Sequence, residues 1–341
     1  MPYTTTLKSI ASYLPQKCVP NAYFESFLET NDAWITQRTG IKTRYFAEKS
    51  ELSSDLGFKA ADIALKRANL APKDIDLLLC ATLSPDFFGM PSTACIIASK
   101  LGITDVPAFD VVAACTGFIY LLSVAKSYIE SGMYRNILLV CAEKSSAVLD
   151  FQDRGTCILF GDGAGALVVS RGEFVESSLD SKDLKSGIKD VHIGANGDFA
   201  SLLYTPRLSL DSNVLDSSAL QNSQKMIMKG NEVFKIAVRT IANEAKNILE
   251  SNGLSVENIA YFIPHQANIR IIDSVAKSLN FPREKLILTV QKYGNTGAAS
   301  IPMAICDAMQ EGKFKKGDLL LLDSFGSGFT WGSALIYADF V

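Results

Sequence analysis

Residues 114–118 read ACTGF, and residues 294–298, 180 positions further along the chain, read GNTGA. The two stretches share a Thr-Gly pair and align without a gap, so that Cys115 corresponds to Asn295. In each case an apolar run comes shortly before the stretch and a helical pattern follows it. This correspondence indicates a chain that is built from two related halves.

Two further matches support the duplication. The helical patterns that follow the two stretches are closed by Gly132 and by Gly312, again 180 positions apart, and glycine is the usual residue just past a helix end. Upstream, residues 65–81 resemble residues 249–265 at an offset of 184. Helix–strand units resemble one another in many proteins, so a chance match is the alternative interpretation.

Apolar runs typical of buried strands alternate with helical patterns along the chain. The runs are continuous rather than interrupted by polar residues, which favours strands that are buried on both faces. Alternation of such strands with helices indicates a layered α/β fold. The runs cover residues 75–83, 108–113, 136–143, 165–170, 260–265, 285–290 and 318–325, and the clearest helical patterns cover residues 117–131 and 300–310.

The composition is typical of a soluble enzyme. Of the 341 residues, 48% are hydrophobic and 20% are charged, which excludes a disordered chain, and the length favours two domains or two fused halves. The net charge is −3 and the sequence has no basic run, so we expect no nucleic-acid partner. The longest uncharged apolar run, residues 111–125, is too short to cross a bilayer, so we expect no membrane association.

Cysteine and histidine usage favours the cytoplasm and argues against a metal site. The N-terminal residues show no apolar secretory signal. The seven cysteines are scattered without CxxC spacing, which is typical of a reducing compartment and argues against disulfides and structural zinc. The only histidines are His192 and His265, so a metal site built on imidazoles is not expected, and a catalytic imidazole has two candidates.

The duplication predicts that three chemically capable side chains lie close together. A pseudo-twofold axis between the halves would bring the turns of Cys115 and Asn295 to face each other, with His265 at a strand end nearby. Such folds carry their chemistry on loops at the carboxyl ends of strands. Each residue also has an ordinary interpretation: a free cysteine is usually buried and inert, His265 could be a core histidine, and Asn295 could be a turn residue.

The residues around these side chains resemble one family. Cys115 in AACTGF, His265 in PHQANIR and Asn295 in YGNTGAAS are similar to the Cys-His-Asn triad of β-ketoacyl-acyl-carrier-protein synthase III, a family of thiolase-fold condensing enzymes. The resemblance implies a homodimer and a thiolase-like α/β fold, with two similar βα halves in αβαβα layers. It extends over nearly the whole chain, through NDAWITQRTGIKTRYF (31–46), DRGTCILFGDGAGALVVS (153–170), GNEVFKIAV (230–238) and FGSGFTWGSAL (325–335).

The resemblance implies an acyltransferase reaction in two steps that initiates fatty acid synthesis. A thiolate of Cys115 takes the acyl group from acyl-CoA, and a carbanion formed by decarboxylation of malonyl-acyl carrier protein then attacks that group. Because Cys115 precedes a helix, we expect the helix end to lower the thiol pKa enough for substantial thiolate near neutral pH. Acyl-CoA is a substrate in this reaction, and no cofactor or metal is expected.

The same resemblance implies two sets of hydrogen-bond donors. His265 and Asn295 would donate to the thioester oxygen on which enolate charge develops. The backbone N–H groups of Cys115 and Ser327 would form a second oxyanion hole. Ser327 stands where the family usually has glycine, in FGGGF, and this departure puts the shape of the pocket in question more than catalysis.

Other residues match binding positions of the family. Trp34, Arg38 and Arg154 would hold the adenine and phosphates of CoA, since an indole face stacks on a base and guanidinium groups bind phosphate. A half-buried helix anchor is the alternative interpretation of Trp34. The residues that would line the pantetheine tunnel and its gate are Gly230, Phe234, Asn268 and Phe325.

Two contacts with other chains are also implied. Met90, which precedes Pro91, would line the acyl pocket of the partner subunit, and its flexible side chain favours short to medium acyl chains. Arg270 and Lys277 lie seven residues apart on one side of a predicted helix and would dock the acidic acyl carrier protein. A solvated helix face is the alternative interpretation of these two charges.

The predicted organisation has a first half at residues 1–174 with the nucleophile, a polar connection at 175–228, and a second half at 229–341 with His265 and Asn295. Cysteine proteases of the papain type also have Cys, His and Asn in this order, but their CGSCW-like context and secretory signal are missing here, and the duplication does not fit them. A non-catalytic scaffold would be expected to lack one of the three residues. The remaining alternative is a related condensing enzyme of secondary metabolism, of the alkylquinolone or polyketide type.

Overall fold

The computed structural model describes residues 3–174, 185–206 and 225–341. Within these residues the strands are β1 (Tyr3–Tyr13), β2 (Lys17–Pro20), β3 (Thr43–Phe46), β4 (Leu77–Ala81), β5 (Ala108–Val111), β6 (Asn136–Glu143), β7 (Gly163–Phe174), β8 (Ile188–Ala195), β9 (Leu203–Tyr204), β10 (Ile227–Met228), β11 (Tyr261–Pro264), β12 (Leu319–Gly326) and β13 (Thr330–Tyr337). The α-helices there are α1 (Ala22–Glu25), α2 (Asp32–Thr39), α3 (Ser53–Ala68), α4 (Thr93–Leu101), α5 (Gly117–Glu130), α6 (Gly230–Ser251), α7 (Ile269–Ser278), α8 (Val290–Tyr293) and α9 (Ser300–Gln310).

Two mixed sheets repeat one topology. The first has the strand order β1-β7-β6-β4-β5, and the second has the order β8-β13-β12-β11. The pairs β4/β6 and β11/β12 are parallel, whereas β6/β7 and β12/β13 are antiparallel. In the second sheet Leu286 takes the place of β5 and makes a single bridge to Phe262. The two halves are therefore similar, as the duplicated sequence predicts.

The helices form three layers around the two sheets. Helices α5 and α9 lie between the sheets and share one apolar cluster with both of them, to which they contribute Leu121, Leu122 and Ile305. Helices α3 and α4 cover the outer face of the first sheet, and α6 and α7 cover the outer face of the second. The predicted αβαβα order is confirmed. None of the described helices has the length and apolar character that crossing a membrane requires.

Helices α5 and α9 form where the glycine positions predict them. Gly132 and Gly312 follow their ends with φ angles of 81° and 67°. A side chain at such an angle costs energy, which explains why glycine closes both helices. Single-turn 3-10 helices at Pro72–Asp74 and Val256–Asn258 stand 184 positions apart, at the offset of the upstream sequence match.

One predicted strand, at residues 285–290, is wrong, whereas the other six predicted runs overlap β4, β5, β6, β7, β11 and β12. The chain forms a 3-10 turn at Arg283–Lys285 and then the short helix α8. The Gln266 side chain replaces a neighbouring strand: its Nε2 donates to the Ile287 carbonyl at 3.2 Å, and its Oε1 accepts from the Thr289 N–H at 2.8 Å. The apolar run is therefore irregular, because the Gln266 side chain makes hydrogen bonds to its backbone that a neighbouring strand would otherwise make.

The predicted connection at residues 175–228 lies partly outside the described residues, at 175–184 and 207–224. Its described part adds β8 to the second sheet and pairs β9 with β10. His192 lies on β8, where its Nδ1 is 3.2 Å from the Glu244 carboxylate. The division of the chain at 174 and 229 stays a prediction.

Candidate active site

Cys115 lies in a tight turn between β5 and α5. Residues Ala114–Thr116 form a single 3-10 turn, and Ala114 has a φ of +45°, which few residues other than glycine adopt. The Ser324 hydroxyl on β12 donates to the Cys115 carbonyl at 2.8 Å. A β-carbon on Gly326 would lie 2.8 Å from the Cys115 nitrogen, so only glycine fits there. The second half of the chain therefore holds the turn of the nucleophile.

Asn295 lies on the equivalent turn of the second half, before α9. Its N–H donates to the Leu159 carbonyl at 2.8 Å, and its carbonyl accepts from the Gly161 N–H at 2.9 Å. Its side-chain oxygen accepts from the Gly297 N–H at 2.9 Å. Because that oxygen is engaged, the Nδ2 hydrogens are the ones left for Cys115, whose thiolate the amide stabilises.

His265 follows β11 and is buried. Its backbone N–H donates to the Asp323 carbonyl at 2.8 Å, and its Nδ1 lies 2.6 Å from the Ser300 hydroxyl oxygen. That oxygen also accepts from the Gln266 N–H at 3.3 Å. We assign the Ser300 hydroxyl as the donor to Nδ1, which places the ring hydrogen on Nε2. Burial lowers the pKa of His265 to about 4, so the ring is neutral at neutral pH.

One cavity of about 690 Å³ joins the three side chains. Its inner end is formed by the buried residues Cys115, His265 and Asn295. Its outer part is lined by the exposed residues Arg38 and Arg154. The volume is that of a small-molecule site. The structure thus brings together the three residues that the sequence singles out.

The protonation state of Cys115 differs from the expectation. The residue is 8% exposed, and burial raises the pKa of its thiol to about 12, with a further rise from the Glu143 carboxylate. The Asn295 amide and the backbone N–H of Cys115 itself oppose this rise. The rise in the thiol pKa that desolvation causes is therefore larger than the lowering by these donors at the start of the helix. The expected thiolate near neutral pH is wrong, and the resting group is a thiol.

The indole ring of Trp34 is in contact with two guanidinium groups at the mouth of the cavity. The Cζ atoms of Arg38 and Arg154 are 4.8 Å and 4.6 Å from the ring centroid. Arg154 also donates to the Glu29 carbonyl, and the Trp34 backbone N–H donates to the Asn31 side chain at 2.8 Å, where α2 begins. A flat ring in contact with two cations is suited to a base that carries phosphates.

Comparison with known proteins decides between the families that such a site allows. Family models of 3-oxoacyl-[acyl-carrier-protein] synthase III and of its C-terminal part match residues 109–195 and 249–338. A β-ketoacyl-[acyl-carrier-protein] synthase III of Helicobacter pylori HPAG1 is 58% identical over 337 residues, 99% of each chain. The one from Campylobacter jejuni is 56% identical over 331 residues, 97% of each chain. This chain belongs to the 3-oxoacyl-[acyl-carrier-protein] synthase III family.

Solved structures agree with this membership. The 3-oxoacyl-[acyl-carrier-protein] synthase III from Aquifex aeolicus VF5 is 42% identical and has a TM-score of 0.87, with 97% of this chain and 99% of that chain covered. The priming β-ketosynthase of the R1128 polyketide pathway is 32% identical and has a TM-score of 0.88, with 98% and 96% covered. The predicted thiolase-like fold is confirmed.

The four residues predicted to line the pantetheine tunnel of a synthase III all lie in the cavity wall. Asn268 is the one whose polar atoms are already engaged. Its Nδ2 donates to the Arg38 carbonyl at 3.1 Å, and its Oδ1 accepts from the Arg270 N–H at 2.9 Å, which caps α7. Asn268 therefore joins α2 to α7 as well as lining the wall. The other three are Gly230, Phe234 and Phe325.

The two basic residues predicted to dock the carrier protein lie on α7. Arg270 is exposed at the cavity mouth, with its Cζ 5.6 Å from the centroid of the Phe234 ring. Lys277 is exposed in the last turn of α7, outside the described lining of the cavity. Lys235 on α6 also lines the mouth. Lys235 was not predicted, because an exposed lysine is typical of any solvated helix face.

Ser327 and Met90 lie outside the described lining of the cavity. The Ser327 hydroxyl donates to the Leu203 carbonyl, while its neighbour Gly326 lines the cavity. Met90 is 82% exposed on the loop between β4 and α4, outside the described lining of the cavity in its own chain. The roles of both residues stay predictions.

Two buried polar residues beside the triad were not predicted. Ser300 contacts His265, and Glu143 contacts the turn of Asn295 through the Ala298 N–H at 3.3 Å. The sequence carries only a faint signal for them: Glu143 ends an otherwise apolar strand, and Ser300 ends the stretch YGNTGAAS. Among the residues that the structure describes, no group of three or more His, Cys, Asp or Glu side chains could hold a metal ion.

Proposed function

We propose that this synthase III moves an acyl group from acyl-CoA to Cys115 and condenses it with malonyl-acyl carrier protein. The products are CoA, CO2 and β-ketoacyl-acyl carrier protein, the starting unit of fatty acid synthesis. The observation that carries the proposal is that a thiol and two hydrogen-bond donors share the buried end of one cavity, whose mouth is suited to a nucleotide. The relatives named β-ketoacyl-[acyl-carrier-protein] synthase III support it.

In the first step the Cys115 sulfur attacks the carbonyl carbon of the acyl-CoA thioester. A bond forms between this sulfur and the acyl carbon, and the bond to the CoA sulfur breaks. Because the resting Cys115 is a thiol, its proton leaves during the step and ends on the CoA sulfur. The positive end of α5 stabilises the thiolate while it forms.

In the second step the malonyl group loses CO2, and the electron pair of the broken carbon–carbon bond forms an enolate on the thioester. The Nε2–H of His265 and the Nδ2–H of Asn295 donate to the enolate oxygen. The enolate carbon attacks the acyl carbon, and Cys115 leaves as a thiolate that takes a proton from water. The step needs donors rather than a base, and a neutral His265 supplies one.

The oxygen of the attacked acyl group needs donors of its own. We assign this role to the backbone N–H groups of Cys115 and Ser327. Gly326 supports the assignment, because a β-carbon there would fill the space beside the Cys115 nitrogen. The serine side chain at 327 turns to Leu203, so it leaves its own N–H available to the cavity.

A second copy of the chain completes the enzyme. The loop between β4 and α4 and the end of β5 expose an apolar patch of Phe87, Phe88, Met90 and Val112, which are 51%, 63%, 82% and 85% exposed. Apolar side chains exposed together are typical of a subunit interface. A homodimer covers this patch and brings Met90 to the acyl pocket of the partner. The basic face of Arg270 and Lys277, with Lys235 beside it, docks the acidic carrier protein.

The two half-reactions can be measured in the same variants. His265→Ala and Asn295→Ala each remove one donor to the enolate, so CO2 release from malonyl-acyl carrier protein should fall about 10²–10³-fold. Acylation of Cys115 by acetyl-CoA should fall less in both, because the thiol proton leaves with CoA. If either variant released CO2 normally but failed to acylate, the assigned roles would be wrong and a hydrolase would fit better.

The alternative role in secondary metabolism has weaker support. The R1128 priming β-ketosynthase is 32% identical to this chain, whereas the Helicobacter pylori synthase III is 58% identical. A screen of acyl-CoA donors separates the two roles: short-chain donors with malonyl-acyl carrier protein favour fatty acid initiation. Turnover only with an unusual donor would favour the alternative.

A further inference from the structure

The Glu143 side chain lies buried between the two catalytic turns, and no step described above uses it. It ends β6 and is 0% exposed. Its Oε2 accepts from the Leu83 N–H at 3.1 Å and from the Ser84 hydroxyl at 3.0 Å, just after β4. Its Oε1 accepts from the Ala298 N–H at 3.3 Å, three residues after Asn295. Each carboxyl oxygen therefore holds a backbone N–H from a different half of the chain.

The carboxyl group also occupies the space that a side chain at position 297 would need. A β-carbon on Gly297 would lie 2.8 Å from Glu143 Oε1, and Gly297 has a φ of +54°. The N–H of Gly297 is the donor that holds the side-chain oxygen of Asn295. A continuous set of contacts thus runs from Glu143 to the Ala298 N–H and the Gly297 Cα, and from the Gly297 N–H to the Asn295 amide.

We propose that Glu143 is a positioning residue for the decarboxylation step, and this inference rests on the function proposed above. Glu143 holds the Ala298 N–H and packs against Gly297, and so fixes the backbone on both sides of the Gly297 Cα. The Gly297 N–H then keeps the Asn295 oxygen turned away from the cavity. The Nδ2 hydrogens of Asn295 then remain aimed at the place where the enolate oxygen forms. Catalytic donors lose much of their effect when they are displaced by about an ångström.

Glu143→Gln tests this arrangement without changing the size of the side chain. A carboxyl group can accept from the N–H groups of Leu83 and Ala298 at once, one on each oxygen. An amide can accept from only one of them, because its other end is itself a donor. The substitution therefore breaks one of the two fixed hydrogen bonds and leaves an N–H facing an NH2 group.

The charge of Glu143 provides a second readout. Burial raises the pKa of Glu143 to about 8, and its carboxylate raises the pKa of Cys115. The other titratable groups influenced by it are the buried thiols Cys80 on β4 and Cys141 on β6, whose pKa values are also raised. Loss of the carboxylate should therefore make Cys115 titrate at lower pH. A residue that only supported the fold would not cause this change.

The experiment compares the full-length wild type with Glu143→Gln. CO2 release from malonyl-acyl carrier protein should fall about 10–100-fold, whereas acylation by acetyl-CoA should change only a few-fold. Alkylation of Cys115 by iodoacetamide, followed by peptide mass spectrometry across a pH series, should shift to lower pH. Glu143→Asp separates the effect of position from the effect of charge. The shorter side chain cannot reach the Ala298 N–H, so CO2 release should fall. The carboxylate charge is kept, so the pH dependence of Cys115 alkylation should match the wild type.

Asp162→Asn is the matched control. Asp162 is also fully buried, and its two oxygens accept from the N–H groups of Ser146 and Ala47 at 2.8 Å. Its substitution should lower thermal stability to a similar degree but leave the ratio of the half-reactions and the alkylation profile as in the wild type. An unchanged ratio in both Glu143 variants, with Asn295→Ala still defective in CO2 release, would overturn the positioning role and leave the proposed function standing.

Discussion

The Nδ1 atom of His265 lies 2.6 Å from the hydroxyl oxygen of Ser300. With the hydroxyl assigned as the donor to Nδ1, Nε2 is the ring nitrogen that carries hydrogen. A neutral ring with hydrogen on Nε2 offers a donor at that position and not a base. This arrangement suits the stabilisation of an enolate, whereas a cysteine hydrolase needs an imidazole that takes the thiol proton.

Ser300→Ala removes the group that selects this form of the ring. We expect CO2 release from malonyl-acyl carrier protein to fall about 3–10-fold, because a neutral hydrogen bond contributes about 1 kcal/mol. Acylation by acetyl-CoA, measured by mass under the same conditions, should fall less. Ser300→Thr keeps the hydroxyl and should retain most of the activity. Equal losses in the two variants would show that the hydroxyl does not set the orientation of the ring hydrogen.

Trp34→Ala removes the ring that contacts the two guanidinium groups at the cavity mouth. The KM for acetyl-CoA should rise about 10-fold with little change in kcat, because in the proposed function the ring stacks on the nucleotide and does not touch the triad. Steady-state kinetics with an acetyl thioester of pantetheine, which lacks the nucleotide, provide the control and should show no such rise. The same rise in KM with acetyl-CoA and with the pantetheine thioester would support the alternative, in which Trp34 anchors α2.

His265 should make the protein less stable as the pH falls. Its pKa is about 4 in the folded chain and 6.5 ordinarily, so between these values the unfolded chain binds a proton that the native chain does not. The free energy of unfolding should therefore decrease as the pH drops through this window, by roughly 1.4 kcal/mol per pH unit from this group. Chemical denaturation of the wild type and of His265→Gln across that window measures the difference. Parallel pH dependence in the two proteins would contradict the assignment of a neutral buried ring.

Charge reversal at Arg270 and Lys277 tests the docking of the carrier protein. Turnover with malonyl-acyl carrier protein should fall several-fold in Arg270→Glu/Lys277→Glu, while acylation by acetyl-CoA stays near the wild-type rate. Added salt should weaken turnover by the wild type more than turnover by the variant, since it screens exposed charges. If both half-reactions remained unchanged, α7 would simply present a solvated face.

The sequence predicted the fold and the meeting of the Cys115 and Asn295 turns because the local patterns behind them occur twice, whereas His265 was singled out by the family resemblance. Gly132 and Gly312 mark helix ends that no other residue type closes as easily. The offset of 180 residues places Cys115 and Asn295 on equivalent turns, and the structure brings those turns together in one cavity. A contact between residues far apart in the chain could thus be predicted by comparing the two halves, although neither half alone predicts it.

The sequence could not predict features that depend on how the halves pack. Residues 285–290 are apolar enough for a strand, but the side chain of Gln266 takes three of their backbone hydrogen bonds, at Ile287, Thr289 and Val290. The pKa of Cys115 follows from burial, which outweighs the local effect of the helix end. The contact of Glu143 with Ala298 joins residues 155 positions apart, and nothing in their local sequence relates them.

In the proposed function a single thiol, that of Cys115, carries the acyl group. Incubation of the chain with acetyl-CoA followed by intact-mass analysis should show one acetyl adduct, and peptide mapping should place it on Cys115. Cys115→Ala should show none, although Cys18 and Cys95 remain exposed. An adduct that persists in Cys115→Ala would place the acyl group on another residue and contradict the assignment of the nucleophile.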